Sequence, residues 1–400
     1  MQFRTINDLD VRGKRVLVRE DLNVPLRQAQ RDTGVWAIAD YTRVDAAIPT
    51  LRALLERGAR VIVMSHLGRP DGAANPKYSL KPLVAALAER LHAPVSFADD
   101  CIGAPARDAA AKLREGELLL LENVRFHKQE EANDPAFARE LASLGELYVN
   151  DAFGTAHRAH ASTEGVAHLL PNAAGLLMEA ELSALAALTV SPAHPYICVI
   201  GGAKVKDKVG VFFNLMERVD AFCIGGGMAN TFLAAQGVNV GKSLRDDDLS
   251  PAKEILARAA DKGVALHLPV DAVVSSAFDN DAGAHTVAIG DVGDEMILDI
   301  GPASAQAYAR AIEAAKTVVF NGPMGVYEKP AYQGGTKVVG EAIARATAHG
   351  ATSVVGGGDA AASAHMLGFA DAMTHVSTGG GATLEFLEGK VLPGVAALAI

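Results

Sequence analysis

Residues 196–209 read YICVIGGAKVKDKV, and this stretch decides how the rest of the chain is interpreted. A five-residue apolar run ends at Gly201-Gly202, and three lysines follow at a spacing of two before an apolar helical pattern resumes at Val209. The order strand, glycine turn, cations and helix leaves backbone N–H groups and the positive end of a helix facing outward, which favours phosphate binding. Taken alone, the stretch also fits a surface turn with solvated lysines.

The composition indicates an α/β protein with two or three domains. The chain has 400 residues, of which 50% are apolar, 5% aromatic and 21% charged. Its net charge of −10 disfavours nucleic acid or an anionic membrane as a partner. The first twenty residues lack the apolar core of a signal peptide, and no uncharged apolar run reaches membrane-spanning length. We therefore expect a cytoplasmic protein whose three cysteines are buried and reduced. We also expect it to be a monomer.

Short apolar runs separated by helix-like segments predict parallel strands that are covered on both faces. These runs are 15–19, 60–64, 118–121, 147–149, 196–200, 221–224, 317–320 and 352–355. In parallel sheets, ligands bind beyond the carboxyl ends of the strands. The residues just after each run are therefore candidate site residues.

Basic and polar side chains follow the strands of the first half. Most arginines of the chain precede residue 190, and arginine suits carboxylate and phosphate ligands. We expect a basic bowl for a doubly anionic small molecule, formed by Arg19, Arg69, Arg125, Arg158, His66, His157 and His160. Zinc at His157 and His160 is a weaker alternative, because H-x-x-H is not a helical i, i+4 pair and no cysteine lies nearby.

Glycines follow the strands of the second half, at 201–202, 225–227, 321–323 and 356–359. Glycine permits positive φ and a close approach of the backbone to a ligand, so this repetition favours a nucleotide lying across the sheet. Residues 241–243 read GKS but lack the spacing of a P-loop, and residues 225–230 begin like G-x-G-x-x-G but end in Asn230. The triplet Asp246–Asp248 lacks the further ligands of a calcium loop and predicts a solvated turn before a helix that starts at Ser250.

Between the halves, Ala173–Leu188 carries an apolar stripe at helical spacing and is followed by Pro192 and Pro195. This pattern predicts an interdomain helix and a stiff linker. The alternative is one more packing helix within a single domain.

Ordered segments that cover Leu9 to about Pro393 resemble the phosphoglycerate kinase family. They are VLVREDLNVP (16–25), SHLGRP (65–70), LLENVRF (120–126), NDAFGTAHRAH (150–160), GGAKVKDK (201–208), GGGMANTF (225–232), NGPMGVYE (321–328), GGGD (356–359) and STGGGATLEFLEGK (377–390). The resemblance implies two doubly wound, Rossmann-like α/β domains joined by a helix. It divides the chain into an acid-substrate domain (1–172), a helix and linker (173–192), a nucleotide domain (193–384) and a C-terminal segment that returns to the first domain (385–400).

The resemblance also implies an activity and its residues. The reaction is phosphoryl transfer between 1,3-bisphosphoglycerate and Mg·ADP, which gives 3-phosphoglycerate and ATP. The implied acid-substrate residues are Asp21, Asn23, Arg43, His66, Leu67, Gly68, Arg69, Arg125 and Arg158. The implied nucleotide residues are Lys208, Gly225, Gly226, Gly301, Gly322, Glu328, Gly357, Gly358, Asp359 and Ala360. Arg43 and Lys204 are the implied catalytic residues, and Asp359 is the implied Mg²⁺ ligand.

The sequence departs from the family pattern in three ways, of which the replacement of other aromatic residues by Phe320 and Tyr327 should be tolerated. Ala360 stands where the family usually has threonine, and residues 27–43, which include the only tryptophan, Trp36, are longer than the usual hairpin. Two other kinds of protein remain as alternatives. A nicotinamide dehydrogenase would need an intact G-x-G-x-x-G. A non-catalytic, two-lobed protein that binds small acids would have no use for Lys204, Lys208, Glu328 and Asp359.

Overall fold

The computed structural model describes residues 2–28 and 36–400, and the chain forms two compact units. The first unit extends to Leu182 and includes Val391–Ile400, and the second comprises Ser183–Lys390. Residues 29–35 of the long segment before Arg43 lie outside the described residues.

The first unit is built on a six-stranded, fully parallel sheet and a short antiparallel hairpin. Its strands are β1 (Arg15–Arg19), β2 (Leu26–Gln28), β3 (Trp36–Ile38), β4 (Arg60–Met64), β5 (Val95–Ala98), β6 (Leu118–Leu121), β7 (Leu147–Asn150) and β8 (Asn172–Ala174). The order in the sheet is β5-β6-β4-β1-β7-β8, and β2 pairs with β3. The chain thus winds from β1 toward one edge and returns to add β7 and β8 on the other side of β1.

Helices cover the faces of this sheet because its central strands are apolar on both sides. They are α1 (Thr42–Glu56), α2 (Leu83–Leu91), α3 (Gly103–Lys112), α4 (Lys128–Glu131) and α5 (Pro135–Ala142). The strand β6 reads LLLL and is buried throughout, and α1 adds Val44 and Leu51 to the same core as Val16 and Val61. Burial on both faces is the condition that makes continuous apolar runs stable as strands.

The helix α6 (Leu176–Thr189) begins three residues later than predicted. Asn172–Ala174 are used as strand β8, which pairs with β7, and the Asp151 carboxylate accepts a hydrogen bond from the Met178 N–H at 3.0 Å. A carboxylate that satisfies a free N–H at a helix start stabilises that start. The boundary between the two units, Leu182/Ser183, falls inside this helix.

The second unit has a six-stranded parallel sheet and a three-stranded antiparallel sheet. Its strands are β9 (Tyr196–Ile200), β10 (Ala221–Ile224), β11 (Ala265–His267), β12 (Asp271–Ser275), β13 (His285–Ala288), β14 (Met296–Ile300), β15 (Thr317–Asn321), β16 (Thr352–Val355) and β17 (His375–Val376). The parallel order is β11-β10-β9-β15-β16-β17, and the antiparallel order is β13-β12-β14. Numbered within this sheet, the order is 3-2-1-4-5-6, that of dinucleotide-binding sheets, with its switch point between β9 and β15.

The helices of the second unit are α7 (Val209–Leu215), α8 (Gly226–Ala235), α9 (Ser250–Lys262), α10 (Pro302–Glu313), α11 (Gly334–Ala348), α12 (Gly358–Met366) and α13 (Gly381–Leu387). The last helix, α14 (Pro393–Ala396), belongs to the first unit. There the Asn150 side chain donates to the Gly394 carbonyl at 3.4 Å, and the Ile400 N–H donates to the Gln2 carbonyl at 3.0 Å.

The eight strands predicted from the apolar runs are confirmed, β7 and β15 each being one residue longer. Cys101, Cys198 and Cys223 are free thiols and buried, as expected. Among the described residues, no helix combines the length and the apolar character needed to cross a membrane.

The packing of α11 gives a test of this fold. A Cβ at Gly340 would lie 2.3 Å from the ring of the buried Phe369, so Gly340→Ala should lower the free energy of unfolding by about 1–3 kcal/mol. The matched control is Gly290→Ala, because a Cβ there would meet nothing within 4 Å. Urea unfolding followed by circular dichroism compares the two, and equal stability of both variants would contradict the packing.

Candidate functional site

In the first unit, a cavity of about 240 Å³ opens at the carboxyl edge of the sheet. It is lined by Asp21, Asn23, Arg43, His66, Gly68, Arg69, Arg125, Gly154, Thr155, His157 and Arg158. Asp21, His66 and Arg125 follow β1, β4 and β6, and Arg43 lies in the first turn of α1. Parallel strands end at one edge, which explains why residues far apart in sequence meet here.

Hydrogen bonds fix the loop that carries Gly68. The Asn23 side-chain oxygen accepts from the Gly68 N–H at 2.8 Å, and Arg125 Nη1 donates to the Gly68 carbonyl at 3.0 Å. Arg43 forms an ion pair with the Asp21 carboxylate. These contacts tie three strand ends and α1 together, so the cavity wall is held in place without a ligand.

His66 is a neutral hydrogen-bond donor in this cavity. Burial lowers the pKa of His66 well below its ordinary value, and the nearby Arg19 and Arg125 lower it further. Arg19 Nη2, which can only donate, lies 3.3 Å from His66 Nδ1. Nδ1 must therefore accept, and the proton is placed on Nε2.

Three residues expected near the ligand do not line the cavity. Arg19 is fully buried and donates from Nε to Ser162 Oγ at 2.8 Å, and Ser162 Oγ donates in turn to the buried Glu130 at 2.5 Å. His160 is also buried, and burial with the nearby Arg125 and Arg19 lowers its pKa to about 3. Leu67 is buried, and its carbonyl accepts from the Asn123 side chain at 2.7 Å. The expectation that Arg19 and His160 face the ligand was wrong. The guanidinium group of Arg19 bonds to buried groups of the protein, and the His160 ring is buried.

The cavity therefore presents the guanidinium groups of four arginines and two imidazoles to its interior, with Asp21 as the acidic member. Arg158 Nε donates to His157 Nε2 at 3.2 Å, which orients that guanidinium within the wall. This concentration of fixed donors suits a ligand with two anionic groups.

The zinc alternative at His157 and His160 finds no geometric support. Within residues 2–28 and 36–400, the cluster of potential metal ligands is formed by Asp100, Cys101 and His127. Even there, Asp100 Oδ1 and His127 Nε2 are 2.7 Å apart and share a hydrogen bond, which is an ion-pair geometry.

In the second unit, the switch point between β9 and β15 carries a lysine. Lys208 Nζ donates to the carbonyl of Gly201, which follows β9, at 2.7 Å and to that of Asn321, which ends β15, at 2.6 Å. Burial lowers the pKa of Lys208 to about 8. The amine is thus mostly protonated at neutral pH and lies where a phosphate would approach the sheet.

Next to this point lies a larger, mostly apolar cavity of about 510 Å³. Its wall includes Leu244, Leu298 and Met324, and the carboxylates of Glu328 and Asp359. The N-terminus of α12 at Gly358 offers backbone N–H groups to this region, a position that favours an anion. At the start of α8, the Gly226 and Met228 N–H groups instead donate to the Met324 and Gly202 carbonyls at 2.8 and 3.1 Å. An apolar slot beside such donors suits a flat base that carries a phosphate chain.

Of the predicted nucleotide residues, Gly226, Glu328 and Asp359 line this cavity. The residues that do not line it are Lys204, Lys208, Gly225, Gly301, Gly322, Gly357, Gly358 and Ala360. A Cβ at Gly225 would strike Met324, and one at Gly301 would strike the Asp271 carboxylate, so the two glycines serve packing inside the protein. The methyl group of Ala360 is buried in the core of the unit.

Two acids in this region were missed or misread from the sequence. Asp299 lies inside β14, lines the cavity and is buried, and burial raises its pKa to about 7. An acid within an apolar run, MILDI, is the signal that could have identified it. Asp246 is buried rather than solvated, because its carboxylate accepts from the Val205 N–H at 2.7 Å. The helix start at Ser250 is confirmed, and Asp248 accepts from its N–H at 2.9 Å.

Comparison with known proteins gives a consistent result across the chain. A family model described as phosphoglycerate kinase matches residues 6–390. A phosphoglycerate kinase from Chloroflexus aurantiacus is 54% identical over 402 residues, covering 100% of this chain and 99% of the relative. A phosphoglycerate kinase from Chlorobium luteolum is 51% identical over 401 residues, covering all of both chains.

Solved structures agree. The structure of phosphoglycerate kinase from Coxiella burnetii matches with a TM-score of 0.90 at 40% identity and covers 99% of each chain. The phosphoglycerate kinase from Pyrococcus horikoshii matches with a TM-score of 0.83 at 34% identity, covering 99% of this chain and 98% of the other.

The position of Lys208 leads to a spectroscopic prediction. Because burial lowers its pKa, a protein labelled with ¹³C at lysine Cε should show one resonance with a midpoint near pH 8. That resonance should be missing from Lys208→Gln. If every lysine resonance of the wild type keeps its position up to pH 9, Lys208 is not desolvated as described.

Proposed function

The chain belongs to the phosphoglycerate kinase family, and we propose that its two cavities divide the substrates of that reaction between them. The reaction transfers a phosphoryl group reversibly between 1,3-bisphosphoglycerate and ADP, giving 3-phosphoglycerate and ATP. The observation that carries the proposal is that the second unit combines a lysine at its switch point with an apolar slot, while the first unit collects arginines. A protein that only binds small acids would need the first cavity alone, and family membership does not favour that alternative.

The first cavity is proposed to bind the acid substrate, within an acid-substrate domain formed by residues 1–172 together with the C-terminal segment. Its arginines match the two anionic ends of 3-phosphoglycerate, and His66 adds a neutral donor from Nε2. Asp21 and Asn23 offer acceptors suited to the hydroxyl of the glycerate. Gly68 contributes backbone to this wall, whereas Leu67 does not line it.

The second cavity is proposed to bind ADP or ATP, within a nucleotide domain formed by residues 193–384. The apolar wall accepts the base, Glu328 offers a carboxylate to the ribose hydroxyls, and Lys208 supplies charge to the phosphates. The N–H groups at the start of α12 add donors to the phosphates. Ala360 can contribute only its backbone N–H, since its methyl group is in the core.

Asp359 is proposed to hold Mg²⁺ together with the nucleotide phosphates. Magnesium in phosphoryl-transfer enzymes is bound by one or two carboxylates, substrate phosphates and water. Asp359 is exposed and lines the nucleotide cavity, so its carboxylate fits this donor set. When bound, the ion neutralises charge on the phosphates.

The catalytic contribution of the chain is proposed to be positioning and charge neutralisation. Phosphoryl transfer in line needs no covalent nucleophile from the protein. Lys204 is exposed and extends from the loop after β9, where it is available to the transferring group, and Arg43 serves the acid side. Both are cations, which suits a transition state that carries charge on the phosphoryl oxygens.

We further propose that the units close during turnover by bending near α6, because an acyl phosphate must be kept from water. A monomeric state and a cytoplasmic location suit a glycolytic enzyme of this composition. The test of the proposed function is a coupled assay for ADP formed from ATP that depends on 3-phosphoglycerate. Absence of ADP formation by folded protein would contradict it.

Lys204→Ala should lower kcat by roughly 10²-fold or more and change the KM for ATP little, because the ammonium stabilises charge that develops in the transition state. Lys206→Ala is the matched control, since Lys206 is also exposed and lies two residues further along the same turn. Steady-state kinetics separates the two. A raised KM with unchanged kcat would mean that Lys204 only binds.

Arg158→Ala should weaken 3-phosphoglycerate binding by about 1.5–3 kcal/mol, the range for a hydrogen bond to a charged group. ADP affinity should stay the same, because Arg158 belongs to the first cavity. The control is Arg139→Ala, an exposed arginine on α5 that does not line that cavity. Calorimetry with both ligands measures the effect, and an equal loss for ADP would contradict the assignment.

A further inference from the structure

The side chain of Lys204 makes no polar contact with the described residues. Among the described residues, no hydrogen bond or ion pair of its ammonium group is present, and the side chain is exposed. The direction of the side chain is therefore set by its backbone. Lys204 is in an extended conformation, with φ −137° and ψ 134°, and immediately precedes a 3₁₀ turn at Val205–Asp207.

The start of that turn has free N–H groups that Lys204 itself does not cap. The acceptor for these N–H groups is the carboxylate of Asp246, which lies 41 positions after Val205 in the sequence. Asp246 Oδ2 accepts from the Val205 N–H at 2.7 Å and lies 3.4 Å from the Lys206 nitrogen. A carboxylate in this place acts as the N-cap of the turn.

Asp246 is itself fixed to α8. Its N–H donates to Thr231 Oγ1 at 3.0 Å, and Thr231 Oγ1 donates to the Gly227 carbonyl at 3.1 Å. The Asn230 side chain donates to the Leu244 carbonyl at 3.0 Å, which attaches the segment just before Asp246 to the same helix. Asp246 is 6% exposed, whereas the adjacent Asp247 and Asp248 are exposed. The turn before α7 is thus attached to the helix whose N-terminus lines the nucleotide cavity.

We propose that Asp246 is a positioning residue for phosphoryl transfer, which holds the backbone of Lys204 in register with the N-terminus of α8. The proposal rests on the proposed role of Lys204. Asp246 does not line the cavity, so it acts through the turn and not on the nucleotide. Without the Asp246 carboxylate, Lys204 keeps its ammonium group, but its backbone no longer fixes the direction of the side chain. This loss of orientation should raise the free energy of the transition state more than that of the ground state.

Asp246→Ala should lower kcat by about tenfold to a hundredfold and leave the KM values for ATP and 3-phosphoglycerate within about twofold. Asp246→Asn keeps an acceptor oxygen and should lose less than about tenfold. Asp247→Ala is the matched control, because it removes the neighbouring exposed carboxylate without touching the turn. Its kinetics should equal those of the wild type.

A double-mutant cycle separates positioning from a general structural effect. In the Lys204→Ala background, Asp246→Ala should cost less than about twofold in kcat, because there is no longer an ammonium group to position. With [¹⁵N]valine, the amide proton of Val205 should shift upfield in Asp246→Ala and remain in place in Asp247→Ala. This readout does not depend on activity.

The outcomes distinguish this proposal from the function on which it rests. If Lys204→Ala turns over like the wild type, the role given to Lys204 is wrong. If Lys204→Ala loses turnover but Asp246→Ala does not, or if the full loss persists in the double variant, the positioning role is overturned. If a thermal melt shows that Asp246→Ala does not fold, the double-mutant cycle is repeated with Asp246→Asn and with Thr231→Val. Each should lower kcat several-fold in the wild type and have no further effect in the Lys204→Ala background.

Discussion

The parallel pairing of β9 with β10 on one side and β15 on the other is the constraint on which the second unit depends. It brings the ends of three strands to one edge, where their glycine loops touch. A Cβ at Gly201 would lie 1.9 Å from the Pro323 carbonyl oxygen, and one at Gly226 would lie 2.8 Å from the Gly202 carbonyl oxygen. The buried Gly201 and Asn321 carbonyls at these strand ends accept from the Lys208 amine, so the same pairing of strands places a cation at the switch point.

The two candidate sites offer different kinds of donor to the anionic ligands proposed for them. The first unit uses side-chain cations on several strand ends, and balances its deepest one, Arg19, with the buried Glu130 through Ser162. Burial, with Arg19 nearby, lowers the pKa of His66 and keeps its imidazole neutral. The second unit offers the N-terminus of α12, a desolvated lysine and an apolar slot. The difference agrees with the unequal distribution of arginine along the sequence.

Strands buried on both faces were predictable because their apolar runs are continuous, as in β6. The antiparallel sheet was not, because β13 reads HTVA and is mostly exposed, so it has no such run. The cavity of the first unit was predicted well, since strand-end residues must converge once the sheet is parallel. Two kinds of fact stayed out of reach. Arg19 and Arg125 look alike in sequence, but only tertiary packing decides which one turns inward. Asp246 reaches a turn 41 positions earlier, and no local pattern records such a bond.

Each unit contains at least one buried cysteine whose rate of chemical modification can report how often that unit opens. Cys101 is buried in the first unit, and Cys198 and Cys223 lie on β9 and β10 in the second. Burial raises the pKa of all three thiols, so an alkylating reagent meets a protonated and enclosed sulfur in the closed state. Modification must wait for the surrounding unit to open, and its rate at each position reports the opening free energy of that unit separately. Mass spectrometry of the alkylated native chain can therefore measure the opening of both units without an engineered label.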